Sequence, residues 1–248
     1  MCLIVLAWRP GHHLPLLVAA NRDEFYARPS AALFEWPEIP GLVAGRDLQA
    51  GGTWLGIAPG GRFAALTNIR DPRAAQGARS RGELPLRFLQ DDLPPETFLD
   101  RLRSEANEYS GFNLLVGDRQ ALWHFNSQNG QVRALPAGIH GVSNADMDTS
   151  WPKLQRAKAA LARALETTDE QSLFALLADR TKPEDKALPD TGVGLATERL
   201  LSSIFIASPN YGTRASTLLF AHADGTRRVI ERSFGVEGMP IGEVRFEE

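Results

Sequence analysis

Two unbroken apolar runs, CLIVLAW at 2 to 8 and LPLLVAA at 14 to 20, constrain this chain more than any other feature. A strand with one wet face alternates apolar and polar residues, and these runs do not, so each reads as a strand buried on both faces. The intervening RPGHH carries Pro10 and Gly11, which mark a turn, and the pair is therefore predicted to be a hairpin. A hairpin covered on both faces needs a second sheet or a layer of helices against it. With 248 residues, of which 43% are hydrophobic, the chain can supply such a core.

The remaining pattern fills in the partners. TWLGIAP (53 to 59) and RFAALTNI (62 to 69), separated by Gly60 and Gly61, read as a second hairpin. ELPLRFLQD (83 to 91) and PPETFLDRLRSEANEYS (94 to 110) read as helices, the second opened by its prolines, with Phe98, Leu99, Leu102 and Ala106 at helical spacing. FNLLVGD (112 to 118) and ALWHFNS (121 to 127) return to strand, and HGVSN (140 to 144) reads as a strand end. WPKLQRAKAALARALE (151 to 166), capped by Ser150, and DEQSLFALLAD (169 to 179) are helical. TKPEDKALPDTGVG (181 to 194) is an exposed loop; SSIFIAS (202 to 208), TRASTLLFAH (213 to 222) and TRRVIERSF (226 to 234) are strands. Hairpins and segregated helices favour an antiparallel α+β fold in one domain over 1 to 248.

Charge and cysteine usage exclude several functions. A net charge of -3 with both signs interspersed leaves no footprint for nucleic acid. Arg70, Arg73, Arg79, Arg81 and Arg87 cluster mildly, but Asp71 and Glu83 intervene; a solvated loop face is the plain reading and a small anionic ligand the alternative. One cysteine forms no intramolecular disulfide, the N-terminus lacks a basic leader, and no apolar run approaches a membrane span. The cytoplasm is the expected compartment, and oligomeric state is left open.

That single cysteine stands second. If Met1 is removed, Cys2 carries both a thiol and an α-amine whose ordinary pKa is about 7.7 to 8.0, so the amine can serve as general base for its own side chain. In isolation such a residue is more often a small buried hydrophobe. The hairpin brings ANRDEF (20 to 25) back beside it, with Cys2 opposite residues 20 to 22. Arg22 then favours thiolate, and Asp23 or Glu24 can meet the α-ammonium. Strict alternation forbids Arg22 and Asp23 from facing one side, so one of them needs a bend or serves structure. Further along, Arg214, Ser216 and Leu218 share a strand face, an arrangement costly for arginine unless it meets a carboxylate or a substrate. Asn144 and Asn68 end strand-like stretches, where asparagine is either a turn residue or an oxyanion donor. Trp54 is a candidate cleft wall. His12, His13, His124, His140 and His222 show no metal-ligand spacing, and no metal site is expected.

Taken together, MC, NRDEF, GGTWLG (51 to 56), TNIRDP (67 to 72), HGVSN, WPK (151 to 153) and YGTRASTLL (211 to 219) resemble the NRDE family, also called the transport and Golgi organization protein 2 family. That family is similar to the N-terminal nucleophile hydrolases. The resemblance implies a four-layer αββα sandwich of two antiparallel sheets between helices. It also implies an N-terminal cysteine amidohydrolase cleaving a non-peptide carbon–nitrogen bond of a small molecule. By the same resemblance, Cys2, Arg22, Asp23, Asn144 and Arg214 would be catalytic, and Asn21, Glu24, Trp54, Asn68 and Tyr211 would contact substrate. No cofactor is implied for the enzyme. The family's link to haem trafficking and lipid metabolism implies an alternative, a carrier holding haem or an acyl cofactor in the same cleft without turnover.

Overall fold

In a computed structural model, which describes residues 2–248, the opening hairpin forms the middle of a six-stranded antiparallel sheet. Strands β1 (Cys2–Trp8) and β2 (Leu16–Phe25) pair in a register that sets Cys2 against Arg22 and Leu6 against Val18. On either side lie β10 (Gly138–Val142) and β11 (Tyr211–Ala221), followed by β12 (Arg227–Phe234) and β13 (Pro240–Glu247). The second sheet has seven strands in sequence order: β3 (Ser30–Glu35), β4 (Val43–Asp47), β5 (Leu55–Ala58), β6 (Arg62–Asn68), β7 (Phe112–Gly117), β8 (Leu122–Asn126) and β9 (Gln131–Ala134).

Alternation along β1 divides its side chains between two cores, which is why the run carries no polar residue. Ile4 and Leu6, with Val18 and Leu219, meet Phe63 and Leu115 of the facing sheet. Leu3 and Val5, with Leu17 and Leu218, meet α3 (Pro152–Ala164) and α4 (Glu170–Leu177). A third core packs α1 (Glu83–Gln90) and α2 (Pro95–Arg103) on the outer face of the seven-stranded sheet, through Leu84, Phe88, Phe98 and Leu102. The layers therefore run helix, sheet, sheet, helix, and each large side chain sealed between them contributes about 1.5 to 3 kcal/mol.

Helix starts follow local chemistry. In α4, Asp169 accepts the Ser172 N–H at 2.8 Å, a side-chain cap. Helix α3 begins one residue later than expected: Trp151, in extended conformation, is its N-cap rather than Ser150, with Pro152 in the first turn. A short helix, α5 (Leu195–Leu200), closes the loop after 194.

Two further expectations differ from the fold. The helix expected to reach 110 ends at Arg103, because Tyr109 turns inward, where its hydroxyl donates to Glu83 and Arg87 donates to it. The segment 202 to 208, expected to be a strand, is a buried irregular stretch. Its backbone is satisfied without a ladder: the Ile206 N–H donates to the Thr213 hydroxyl at 3.0 Å, and the Phe205 N–H to the Asp179 carbonyl at 2.8 Å. Ile204, Phe205 and Ile206 are buried, so the apolar composition reports burial and not extension. Among the described residues, no helix is long and apolar enough to cross a membrane.

Candidate active site

At one edge of the two-sheet layer a cavity of about 570 Å³ opens, and Cys2 lies on its wall. Its position follows from the register. On one side Cys2 faces Arg22; on the other, continuing the Ile4 to Val142 pairing by two residues brings it opposite Asn144, where the Ser143 hydroxyl donates to the Cys2 carbonyl at 3.0 Å. The thiol is buried, at 8% exposure. Burial and the neighbouring Asp23 push its pKa up, while Arg22 and the Asp23 N–H, which donates to the sulfur, pull it down. Burial wins, so the thiol rests protonated and needs a base to become a nucleophile. Whether Met1 is removed to supply that base from Cys2 itself lies outside the described residues.

Arg22 and Asp23 both line the cavity, although they are adjacent in β2. Opposite them β11 is irregular. There Thr213 pairs with Asp23 and Ala215 with Arg22, so Arg214 is an extra, bulged residue. The bulge also separates Arg214 from the face it was expected to share with Ser216 and Leu218. Those two point toward the helices, whereas Arg214 lines the cavity and donates through Nη1 to the carbonyls of Phe25, Tyr26 and Arg28 at 3.0 to 3.1 Å. Asp23 is 2% exposed and accepts the Thr213 hydroxyl at 2.8 Å; burial raises its pKa, against Lys153 and the Thr213 hydrogen bond. Glu24 also lines the cavity but lies further out, accepting from the Phe25 N–H and standing 3.8 Å from the Arg22 guanidinium. Asp23 is thus the carboxylate beside the thiol.

The other expected residues divide. Asn68 and Trp54 line the cavity, Trp54 being part of the inter-sheet core and not an exposed side chain. The Asn68 side-chain amide makes no hydrogen bond to another described residue. Asn144 lies behind the wall, its amide donating to the Asn68 carbonyl at 2.8 Å. Tyr211 packs edge-on against Phe25, with centroids 5.1 Å apart, close enough for Asp23 and Cys2 to reinforce the upward shift that burial gives its hydroxyl. Asn21 points the opposite way, toward the helices. Its amide donates to the carbonyls of Leu177 (2.8 Å) and Ile204 (2.9 Å), and its oxygen accepts from Ser216 (2.6 Å). All of these bonds are internal, so Asn21 holds structure and does not face the cavity.

Sequence reasoning missed a layer of buried charge beneath Asp23. Lys153 is 3% exposed and donates to the Leu201 carbonyl at 3.0 Å; burial lowers its pKa to about 8, with Asp23 opposing the shift. Arg70 pairs with buried Glu198 at 2.5 Å and lies over the Trp151 ring, 5.0 Å from its centroid. Glu198 also accepts the Thr191 N–H and hydroxyl, which ties the loop at 181 to 194 against the site. TNIRDP and WPK were the signal for Arg70 and Lys153, but nothing in their spacing brings 70, 153 and 198 together. The reading of Arg79 and Arg81 as a solvated loop face also changes: both line the cavity.

Comparison with known proteins adds the family. The model of the family described as Transport and Golgi organisation 2 matches residues 1–235. The chain belongs to that family. Similar relatives are the Transport and Golgi organization protein 2 homologs of Homo sapiens, 33% identical over 99% of this chain and 97% of that protein, and of Bos taurus, 34% identical over 94% and 93%. The Transport and Golgi organization protein 2 of Drosophila melanogaster is 24% identical over 91% of this chain and 88% of that protein. Among solved structures, a Caenorhabditis elegans N-acylethanolamine-hydrolyzing acid amidase ortholog aligns over 88% of this chain and 92% of that chain. At 13% identity and a TM-score of 0.48, that likeness is too loose to carry a functional argument. The cavity of this Transport and Golgi organisation 2 family member is therefore read from its own residues. Among the described residues no cluster of three or more His, Cys, Asp or Glu side chains is arranged around a metal position.

Proposed function

We propose that the protein is an N-terminal cysteine amidohydrolase acting on a non-peptide carbon–nitrogen amide of a small molecule. The observation that supports this most is the surroundings of Cys2: a thiol at the second position on a cavity wall, opposite Arg22 and receiving the N–H of buried Asp23. With Met1 removed, the α-amine takes the thiol proton and sulfur attacks the amide carbon. The carbonyl electron pair moves to oxygen, which the Asn68 side-chain amide on the cavity wall would receive, with Asn144 donating to the Asn68 carbonyl from behind. The ammonium, held by Asp23, returns the proton to the leaving nitrogen as the C–N bond breaks. Water then hydrolyses the thioester and restores the thiol. Arg22 stabilises thiolate during attack, and Arg214 contributes positive charge from the bulge.

A panel of acyl amides tests this: hydrolysis by the wild type and its loss in Cys2→Ala are expected, whereas equal rates in both would remove Cys2 from the chemistry. The residues present do not fit a histidine-ligated haem, because no histidine lines the cavity. His124 is enclosed in the seven-stranded sheet beside Asn113, and His140 is bonded to Asp148.

A further inference from the structure

The cavity wall carries six arginines, Arg22, Arg28, Arg46, Arg79, Arg81 and Arg214, against four carboxylates, Asp23, Glu24, Asp47 and Glu231. Much of that charge is already matched. Arg28 binds Asp47 at 2.6 Å, Arg46 binds Glu38, and Arg79 binds Glu83, Glu105 and Glu108. Glu231 is buried, accepts from the Leu33 N–H and the Thr217 hydroxyl, and burial raises its pKa. What remains is Arg22, Arg81 and Arg214 facing Asp23, already engaged by Thr213, and Glu24, which approaches Arg22 only to 3.8 Å.

Arg81 is the least satisfied of the three. Its one hydrogen bond to a described residue is from Nη1 to the Gly111 carbonyl at 3.2 Å, and no described carboxylate pairs with it. It is held at the cavity by its backbone. The Thr53 N–H donates to the Gly82 carbonyl at 2.9 Å, and the two loops meet so closely that a Cβ on Gly52 would stand 2.3 Å from that oxygen. Its own carbonyl accepts from the Leu84 N–H at the start of α1, at 3.0 Å. A half-buried guanidinium that feels Glu24 but forms an ion pair with no described carboxylate, fixed on the wall that also holds a nucleophile, is a seat for a substrate anion.

We propose that the substrate carries a small oxyanion, a carboxylate or a phosphate, which Arg81 binds beside Cys2 in a cavity made electropositive by Arg22 and Arg214. This deepens the amidohydrolase reading and rests on it for the identity of the reacting bond. The fork of a guanidinium matches two oxygens of either group, and burial keeps the field from being screened.

Alkylation of Cys2 reads this without knowledge of the substrate. Iodoacetate and iodoacetamide are close in shape, and each forms a sulfur–carbon bond as iodide leaves, but only the first is an anion. The wild type is expected to favour iodoacetate over iodoacetamide relative to free cysteine. That preference should fall roughly tenfold in Arg81→Met, which removes one charge from the wall shared with Cys2, and largely survive in Arg81→Lys. Arg163→Gln, which alters exposed α3, controls for net charge, and melting curves show that each variant is folded. Acetate or inorganic phosphate should slow the iodoacetamide reaction, and whichever does so more strongly names the anion. A wild-type preference equal to that of free cysteine, or one unchanged in folded Arg81→Met, overturns the anion seat and leaves the nucleophile reading standing. A Cys2 that reacts with neither reagent overturns both.

Discussion

Replacing Asn21 with alanine should cost about 3 kcal/mol of stability and spare the chemistry of the cavity. The side chain supplies three buried hydrogen bonds, two to the carbonyls of Leu177 and Ile204 and one from Ser216. Each contributes about 1 kcal/mol net, and each partner left behind is sealed from water by the helical layer. For a domain of this size, 1 kcal/mol moves the melting temperature by about 2 to 4 °C, so Asn21→Ala should melt about 6 to 12 °C below the wild type. Asn21→Asp should fare worse, because a carboxylate oxygen would replace the donating NH2 group opposite two carbonyls in a fully buried site. Thermal denaturation followed by circular dichroism gives the stability. Iodoacetamide labelling of Cys2, well below the transition, shows whether the cavity survives. A melting temperature within about 2 °C of the wild type, together with a lost labelling rate, would refute the reasoning and return Asn21 to the substrate side.

Three further outcomes follow from the same geometry. Leu219→Ala, in the core between the sheets, should lose about 2 to 5 kcal/mol in urea unfolding, and a loss below about 1 kcal/mol would mean that the sheets do not pack as described. Asp148 accepts from His140, Lys158 and the Gly141 N–H and is held at about 2. Its folded pKa is depressed, so its stabilisation is present above the unfolded value of about 3.9 and is lost as pH falls toward about 2. The melting temperatures of wild type and Asp148→Asn should therefore differ at pH 5 and converge near pH 2, and equality at pH 5 would contradict this. The pH profile of Cys2 alkylation should rise above the ordinary thiol pKa of about 8.5, and Arg22→Met should move it higher; an inflection below about 7 in either protein would show that burial does not dominate.

The sequence showed most of the buried strands and hid β3, β4 and the edge strands β9 and β13. Strands β1 and β2 were legible because burial on both faces leaves unbroken apolar runs, and the turn between them narrowed the partner of Cys2 to residues 20 to 22, of which the structure selects Arg22. Strand β9 (QVRA) and strand β13 (PIGEVRFE) were not, because both are edge strands that face solvent along most of their length and carry no periodic apolar signal. The stretch at 202 to 208 misled in the opposite sense, being apolar because it is buried under Asn21 and irregular because side chains satisfy its backbone. In the site, hairpin geometry brought Arg22 beside Cys2 but left Asp23 and Glu24 as alternatives, because alternation alone does not say which of them turns toward the thiol. The bulge at Arg214, the turning of Asn21 toward the helices, and the burial of Lys153 with Arg70 and Glu198 depend on contacts between distant segments, which one sequence does not display.

The central claim is that Cys2 acts as a nucleophile with its own amine as base. Mass spectrometry of the N-terminal peptide after rapid acid quench with a hydrolysed acyl amide tests it most directly. The account predicts a chain beginning at Cys2, with the acyl group on its sulfur as a hydroxylamine-sensitive thioester that is absent in Cys2→Ala. Turnover by a chain that retains Met1, or an acyl group found on any other residue, would contradict it.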